Sequence, residues 1–464
     1  MNRRARMLGC AAATALFAGG CAVGPSYRRP AVDLPSAWKA APPAAARPAN
    51  AALWWRNFHD PELTSLVERA LKSNLEVQLA EARLRQAWAV RAGVAGGIWP
   101  GLPADGSALP GTDTGVAIAD PFQAGLAAAW ELDIFGGVRR NVESAKASAL
   151  AARANLGDVQ VTLAAEVALD YLQVRSSQEQ VAIARENLAA QQHTAGLIRE
   201  RLRVGFSSAL DAANADAQVA TTASAIPPLE TSLRQAIHAL SVLLGRPPAD
   251  LLEELSQSGA VPPAPPAVPV GLPSDLLRRR PDIRAAEEQL PATTAQIGVA
   301  IADFFPQFSL TAAVSYQSSL VRTLLATDTR SWSAGPNVTW PVFQGGSIAA
   351  NVRVQEALRD QACLNYRQTI LVALQEVEDA LVALGNEEGR QKSLTEAVAQ
   401  NRRALDLSTH LYTQGAADFL AVLDAERSLY SSQTALAQSR LAASADMIAL
   451  YKALGGGWRA MESE

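Results

Sequence analysis

The chain has 464 residues, enough for two or three ordinary domains with buried cores, and carries 41 basic against 45 acidic side chains, which leaves no basic stripe for nucleic acid. Four histidines and three cysteines stand scattered without CxxC, HxxxH or HExxH spacing, so no metal site is expected.

At the N-terminus, Arg3, Arg4 and Arg6 precede an apolar run from Met7 to Phe17, then Ala18-Gly19-Gly20 and Cys21. A basic end, an apolar core too short to span a bilayer and small residues at a cleavage point make residues 1–20 a secretory signal peptide. A cysteine directly after that point has the form of a bacterial lipoprotein signal, in which Cys21 becomes the acylated first residue; Ala18 stands where that pattern prefers leucine. A plain signal peptide with an incidental cysteine is the alternative. With Cys10 removed and Cys21 lipidated, Cys363 is the free thiol that remains, and no disulfide framework forms within one chain. Residues 21–50, with a Pro/Ala-rich stretch, are expected to tether this anchor to a folded body.

The body is duplicated. Residues 74–100 lie over 280–306 without a gap, sharing an Ala-Glu pair, the leucine three residues on and the final proline. Pro100 to Gly136 is 36 residues and Pro306 to Gly345 is 39; Gly136 to Gly205 is 69 and Gly345 to Gly415 is 70. Two structural repeats follow, 51–260 and 275–464, joined by a Pro-rich connector at 261–274 that can be neither helix nor central strand.

Each repeat reads as helix, two strands, long helix, break, helix. Hairpins are expected at about 101–135 and 307–344. In the first, Phe122, Ala124, Leu126, Ala128, Trp130, Leu132 and Ile134 alternate with smaller or polar residues, while Pro103 and Pro110 limit the partner strand. In the second, Phe308 to Tyr316 alternate, and Trp332, Ala334, Val338, Trp340 and Val342 share a face. WELDIFGG and WPVFQGG then mark the strand-to-helix junctions, with Trp130, Gly136, Gly137, Trp340, Gly345 and Gly346 where the chain changes direction.

Beyond the first junction, Val138, Val142, Ala145, Ala149, Ala152, Leu156, Val159 and Leu163 form a heptad seam, with alanines on other faces as suits a helix flanked on both sides. A helix of about 70 residues is roughly 100 Å long at ~1.5 Å per residue. Gly205 and Gly415 interrupt the long helices at matching places, and Asp211 and Asp418 suit the caps of the helices that follow. Pro227 and Pro228 are expected to mark a kink, and Pro291 a local bend. Arg280 and Asp282 belong to a charged turn that opens a helix, and Trp54 and Trp55 pack at the start of the first repeat.

No stretch after the signal peptide approaches the ~20 apolar residues of a transmembrane helix. Strands can span an outer membrane only as a closed barrel, and four cannot close. Two chains would give eight strands, a barrel filled by its own side chains; three would give twelve and leave a lumen. The alternative is two exposed hairpins packing on a soluble helical body.

In these parts the sequence resembles the TolC-like outer-membrane efflux factors, specifically the NodT-type lipoprotein branch associated with RND pumps. The resemblance covers essentially the whole chain, through CAVGPSYRRP, WELDIFGGVRR, LDAANADAQVA, IPPLE, LLGRPP, LLRRRPDIRAAE, TAQIGVAIADFFP, GPNVTWPVFQGG and VLDAERSLYSSQ. It implies an α+β membrane protein in the cell outer membrane. Four transmembrane β-strands per chain join a trimeric 12-stranded β-barrel that continues into a long periplasmic α-helical barrel. It implies a passive conduit for drugs or other small molecules, working as a homotrimer with a periplasmic membrane-fusion adaptor and an inner-membrane RND-type pump, with no catalysis and no cofactor. The absence of a P-loop, of a nucleophile elbow and of a paired carboxylate and histidine motif agrees.

By the same resemblance Asp424 in VLDAE matches the periplasmic gate aspartate, and the turns at Gly205 and Gly415, with Asp211 and Asp418, form the helical-hairpin tips that meet the adaptor. Ala421 stands where some members carry a second aspartate. From the residues alone, Asp424 also reads as a solvated acid near a helix N-terminus. Two other functions stay open: an outer-membrane duct of type I protein secretion, and a lipid-anchored periplasmic coiled-coil scaffold that spans nothing.

Overall fold

The computed structural model describes residues 22–40, 51–108, 122–265 and 270–458. The signal peptide, Cys21, the stretch 41–50, Pro110 and part of the Pro-rich connector lie outside the described residues. The rest groups into two compact units, and each draws on both halves of the chain. The first comprises the described parts of Met1–Val32, Ala82–Ala154 and Arg284–Thr369; the second, those of Asp33–Glu81, Asn155–Ile283 and Ile370–Glu464.

The duplication is visible in element lengths. Helix α1 (Pro61–Ser73) leads into α2 (Leu75–Gly96), strands β1 (Ala104–Ala108) and β2 (Phe122–Leu132), and helices α3 (Gly137–Arg203) and α4 (Ala209–Leu243). The second half repeats this as α5 (Pro281–Ala302), β3 (Gln307–Ser318), β4 (Arg330–Thr339), α6 (Ser347–Thr413) and α7 (Phe419–Ala453). Helices α2 and α5 have 22 residues each, α3 and α6 have 67, and α4 and α7 have 35. Among the described residues no helix is long and apolar enough to cross a membrane.

The first unit holds the sheet. Its four strands run antiparallel in the order β1-β2-β3-β4, so β1 and β4 are edges. Because cross-strand partners share a face, the register sorts the side chains. Leu126, Val314 and Trp332 share one row, and Trp130, Leu310 and Pro336 another, while Gln123 pairs with Gln317 and Ser315 with Ser331 on the opposite face. One face is apolar and the other polar.

The strands are shorter than the alternation predicts. β2 ends at Leu132, before Ile134, and β4 ends at Thr339, leaving Trp340 and Val342 outside it. Pro341 offers no N–H, and β3 begins at Gln307 opposite Thr339, so β3 pairs with nothing beyond that point. β1 begins directly after Pro103 and is five residues long.

The second unit holds the largest core. Trp54 and Trp55 are both buried and pack edge to face at 5.8 Å, and Trp54 stacks on Tyr451 of α7 at 5.3 Å. Leu163, Tyr171 and Leu172 of α3 and Leu240 of α4 join them. On α3 the seam read from the sequence is mostly half-buried, with Ala149 and Leu163 fully buried. The alanines assigned to other faces, at 147, 151, 154, 164, 165 and 168, are all buried. Small side chains let neighbouring backbones approach, so these alanine positions are buried together with the larger Tyr171 and Leu172.

Arg280 is a buried hub in this unit. Its guanidinium donates to both carboxylate oxygens of Asp282 at 3.1 and 2.7 Å, to Glu376 at 2.6 Å and to the carbonyl of Ala453 at 2.9 Å, so no charge is left uncompensated. Trp38, from the segment read as a tether, is buried and its indole donates to the Gly271 carbonyl at 3.0 Å. Helix α4 runs through Pro227 and Pro228, and α5 through Pro291.

Candidate functional site at junctions and helical tips

The two strand-to-helix junctions lie in the first unit and share a latch. The indole N–H of Trp130 donates to the Ile98 carbonyl at 2.9 Å, and that of Trp340 to the Phe304 carbonyl at 3.0 Å. Each acceptor lies two residues before the proline that leads into the hairpin, Pro100 or Pro306. The tryptophan thus ties the end of a hairpin to the end of the helix that enters it. Sequence alignment of the repeats finds both tryptophans, but the acceptor is a backbone carbonyl and leaves no signature.

The glycines differ in what they do. Gly136 has φ +82°, Gly345 +58° and Gly346 +86°, all in the left-handed region where a side chain is strained. Gly137 is the first residue of α3 and Gly346 immediately precedes α6, so Gly136 corresponds to Gly346, 210 residues on, rather than to Gly345 as the spacing suggests. A Cβ on Gly136 would lie 2.6 Å from Ala22 Cα; around Gly345 and Gly346 there is open space. The segment after Cys21 is strapped here: Val23 N–H donates to the Phe135 carbonyl at 3.0 Å, and Arg140 donates to the carbonyls of Val23 at 3.1 Å and Gly24 at 3.3 Å. Asp133 caps α3, accepting from the amides of Val138 at 3.1 Å and Arg139 at 2.9 Å.

The helical tips lie in the second unit. At the first, Gly205 (φ +80°) donates to Leu202 and Phe206 to the Arg201 carbonyl; at the second, Gly415 (φ +75°) donates to Tyr412 and Ala416 to Leu411. Both are the same left-handed helix ending, which satisfies carbonyls that α3 and α6 would leave free. The next helices are capped at once. Ser208 and Asp211 form a reciprocal capping box at 3.0 Å each way, and the Asp418 carboxylate accepts from the Ala421 amide at 3.1 Å. The Ser208 amide and the neighbouring hydroxyls hold the Asp211 carboxyl below its ordinary value.

The structure brings the two tips together through residues that sequence reading passed over. The Arg201 guanidinium stands over the Tyr412 ring at 4.8 Å and reaches the Thr413 carbonyl at 3.3 Å, and the Tyr412 hydroxyl lies 3.2 Å from Ser207 Oγ. Ile198, Phe419 and Val422 are buried with them. The rims differ at one position: Phe206 is 76% exposed where the second turn has Ala416, while Leu210 and its counterpart Leu420 are exposed at both tips.

Asp424 is exposed, between the buried Leu423 and Glu426. It is the sixth residue of α7, past the first turn where the helix dipole favours an acid, and Asp418 already fills the cap. Glu426, two residues on, accepts from the Thr194 hydroxyl at 3.1 Å; burial pushes its carboxyl up, and that hydrogen bond partly offsets the shift. Among the described residues no cluster of three or more His, Cys, Asp or Glu is placed to hold a metal.

The chain is similar to known proteins over nearly its whole length. The family described as outer membrane efflux protein matches the chain twice, over residues 66–246 and 272–456, once in each repeat. Nodulation protein T of Rhizobium leguminosarum bv. viciae is 33% identical over 97% of this chain and 93% of its own length. The toluene efflux pump outer membrane protein TtgC of Pseudomonas putida is 34% identical over 96% of this chain and 95% of its own. The solved structure of the outer-membrane channel OprN superposes with a TM-score of 0.85 at 38% identity, covering 94% of this chain and all of that one.

Proposed function

The chain belongs to the outer membrane efflux protein family, and on that premise we propose that three copies close a single conduit whose periplasmic end engages an adaptor and an inner-membrane RND-type pump. The protein is an outer-membrane efflux channel. The observation that carries the trimer is the sheet: four strands with one apolar face, one polar face and two unpaired edges. In lipid those edges must be paired, and the smallest closed assembly of four-stranded units that leaves a lumen uses twelve strands from three chains. The pump supplies the energy and the duct conducts passively. Reconstitution in planar bilayers tests this reading: discrete channel steps are the predicted result, and no conductance at any applied stimulus contradicts it.

Within that assembly Asp424 serves as the periplasmic gate. Its exposure, and its place beyond any capping role, support a carboxylate directed to an axis shared by three copies. Asp424→Ala is expected to raise leak conductance and sensitivity to large antibiotics; an assembled variant with wild-type conductance removes the assignment. The tips at Gly205 and Gly415 meet the adaptor, with the exposed Phe206, Leu210 and Leu420 as the apolar part of that contact. Cys21 carries the lipid, and the adjoining chain is held against the first junction at Val23 and Gly24 and against α5 by the Arg29–Glu287 ion pair. Mass measurement of the mature N-terminus checks the lipid directly.

A further inference from the structure

The four strands carry three charged side chains, and their placement is one-sided. Arg330 stands at the end of the apolar face, paired with Tyr316. Asp105 and Glu131 both stand on the polar face, in register with Gly125 and Ser309. The remainder of that face is neutral: Gln, Ser, Thr and Asn with small residues between, including a Ser315–Ser331 hydroxyl pair at 2.7 Å. No lysine, arginine or histidine of the strands lies on it. Asp105 lies over Gly125: a Cβ built there would stand 3.5 Å from Asp105 Oδ2, an ordinary contact distance that places the carboxylate on this face. Asp105 is level with Gly125, six positions along β2 from Glu131, or about 20 Å at ~3.3 Å per residue.

We infer that Asp105 and Glu131 form two carboxylate rings in the lumen of the outer-membrane barrel, which make this part of the conduit favour cationic over anionic solutes independently of Asp424. The inference rests on the barrel reading above: closure in lipid turns the apolar face outward and the polar face to the lumen. Three copies of each acid then face one another across water, with only neutral hydroxyls and amides between them. A narrow lumen with low-dielectric walls concentrates their field. The sign of selectivity is set at the strands, ahead of any periplasmic gate.

Single cysteines at Trp332 and Ser333, in a Cys363→Ser background, read both the topology and the field. They are labelled from outside intact cells at ~10 mM ionic strength, where screening extends over about 30 Å. Rates for a cationic and an anionic methanethiosulfonate are normalised to a small free thiol. Ser333→Cys should react and Trp332→Cys should be protected. At Ser333→Cys the cation-to-anion rate ratio should exceed that of the free thiol and fall about threefold or more when Asp105→Asn and Glu131→Gln are added. An unchanged ratio with the same pattern of protection overturns the inference and leaves the barrel standing. Equal labelling of both cysteines overturns the barrel reading and the inference together. The Asn and Gln replacements keep side-chain shape, and continued protection of Trp332→Cys verifies that the variant sheet has formed.

Discussion

The first and second junctions perform one task on different supports. Both turn a strand into a 67-residue helix through a left-handed glycine, and both are latched by a tryptophan N–H on the preceding helix end. At the first, the chain after Cys21 lies on Gly136, Arg140 clamps it, and Asp133 caps α3. At the second, Gly345 and Gly346 meet nothing within 4 Å, and Val342 and Phe343 are 77 and 89% exposed. Backbone conformation has been kept across the duplication while side-chain support has diverged. Within one chain, a glycine at such a junction is therefore required by its φ in both repeats, and by contact in one.

The largest effect expected from this contrast is at Gly136. Gly136→Ala pays the left-handed strain of about 1–2 kcal/mol and also drives a methyl into Ala22, whereas Gly346→Ala pays the strain alone. Thermal unfolding of the detergent-extracted protein should show the first variant clearly less stable than the second. Equal losses would mean that the strap contributes nothing. The latches come next. Trp130→Phe and Trp340→Phe each remove one indole hydrogen bond, worth about 0.5–1.5 kcal/mol, and the two losses should be similar because the geometry is repeated. A loss confined to one of them breaks the equivalence.

At the tips, Asp211→Ala removes half of a reciprocal box and Asp418→Ala a single cap, each worth about 1 kcal/mol. Amide exchange should quicken in the first turn of α4 or α7 respectively. Quickening at both tips from one substitution would show that the Arg201–Tyr412 contact couples them.

The smallest effect is one of pH. Burial, reinforced by Glu166, pushes the Asp170 carboxyl up to about 6, and the equivalent position 210 residues on is Ala380. A raised carboxyl pKa favours the fold below the ordinary value of 3.8, and that contribution is lost as pH rises through about 6. Asp170→Ala makes the first repeat like the second. Relative to wild type, its unfolding temperature should rise between pH 4 and 7, then level off. A difference that does not vary with pH would place the carboxyl in water.

Much of this architecture could be read in the residues. The period-two runs around Leu126 and Val314, the glycines at 205 and 415 and the duplication itself were legible because each is local or repeats at a fixed spacing. The strand ends were not: Trp340 and Val342 continue the alternation, but alternation carries no information about Pro341 or about a missing neighbour. Nor was the pairing of Gly136 with Gly346, since adjacent glycines look alike until their φ values and the first residue of the helix are known. Burial of the alanines on α3 depends on which helices approach it. The Arg201–Tyr412–Ser207 contact joins residues some 200 positions apart, and no spacing rule connects them.

Closure of four-stranded units by three chains is the claim on which the lumen, the carboxylate rings and the gate all depend. Native mass spectrometry of the complex extracted from membranes in mild detergent tests it most directly. A mass of three processed chains is the predicted result; a monomer or a dimer as the conducting species would contradict it.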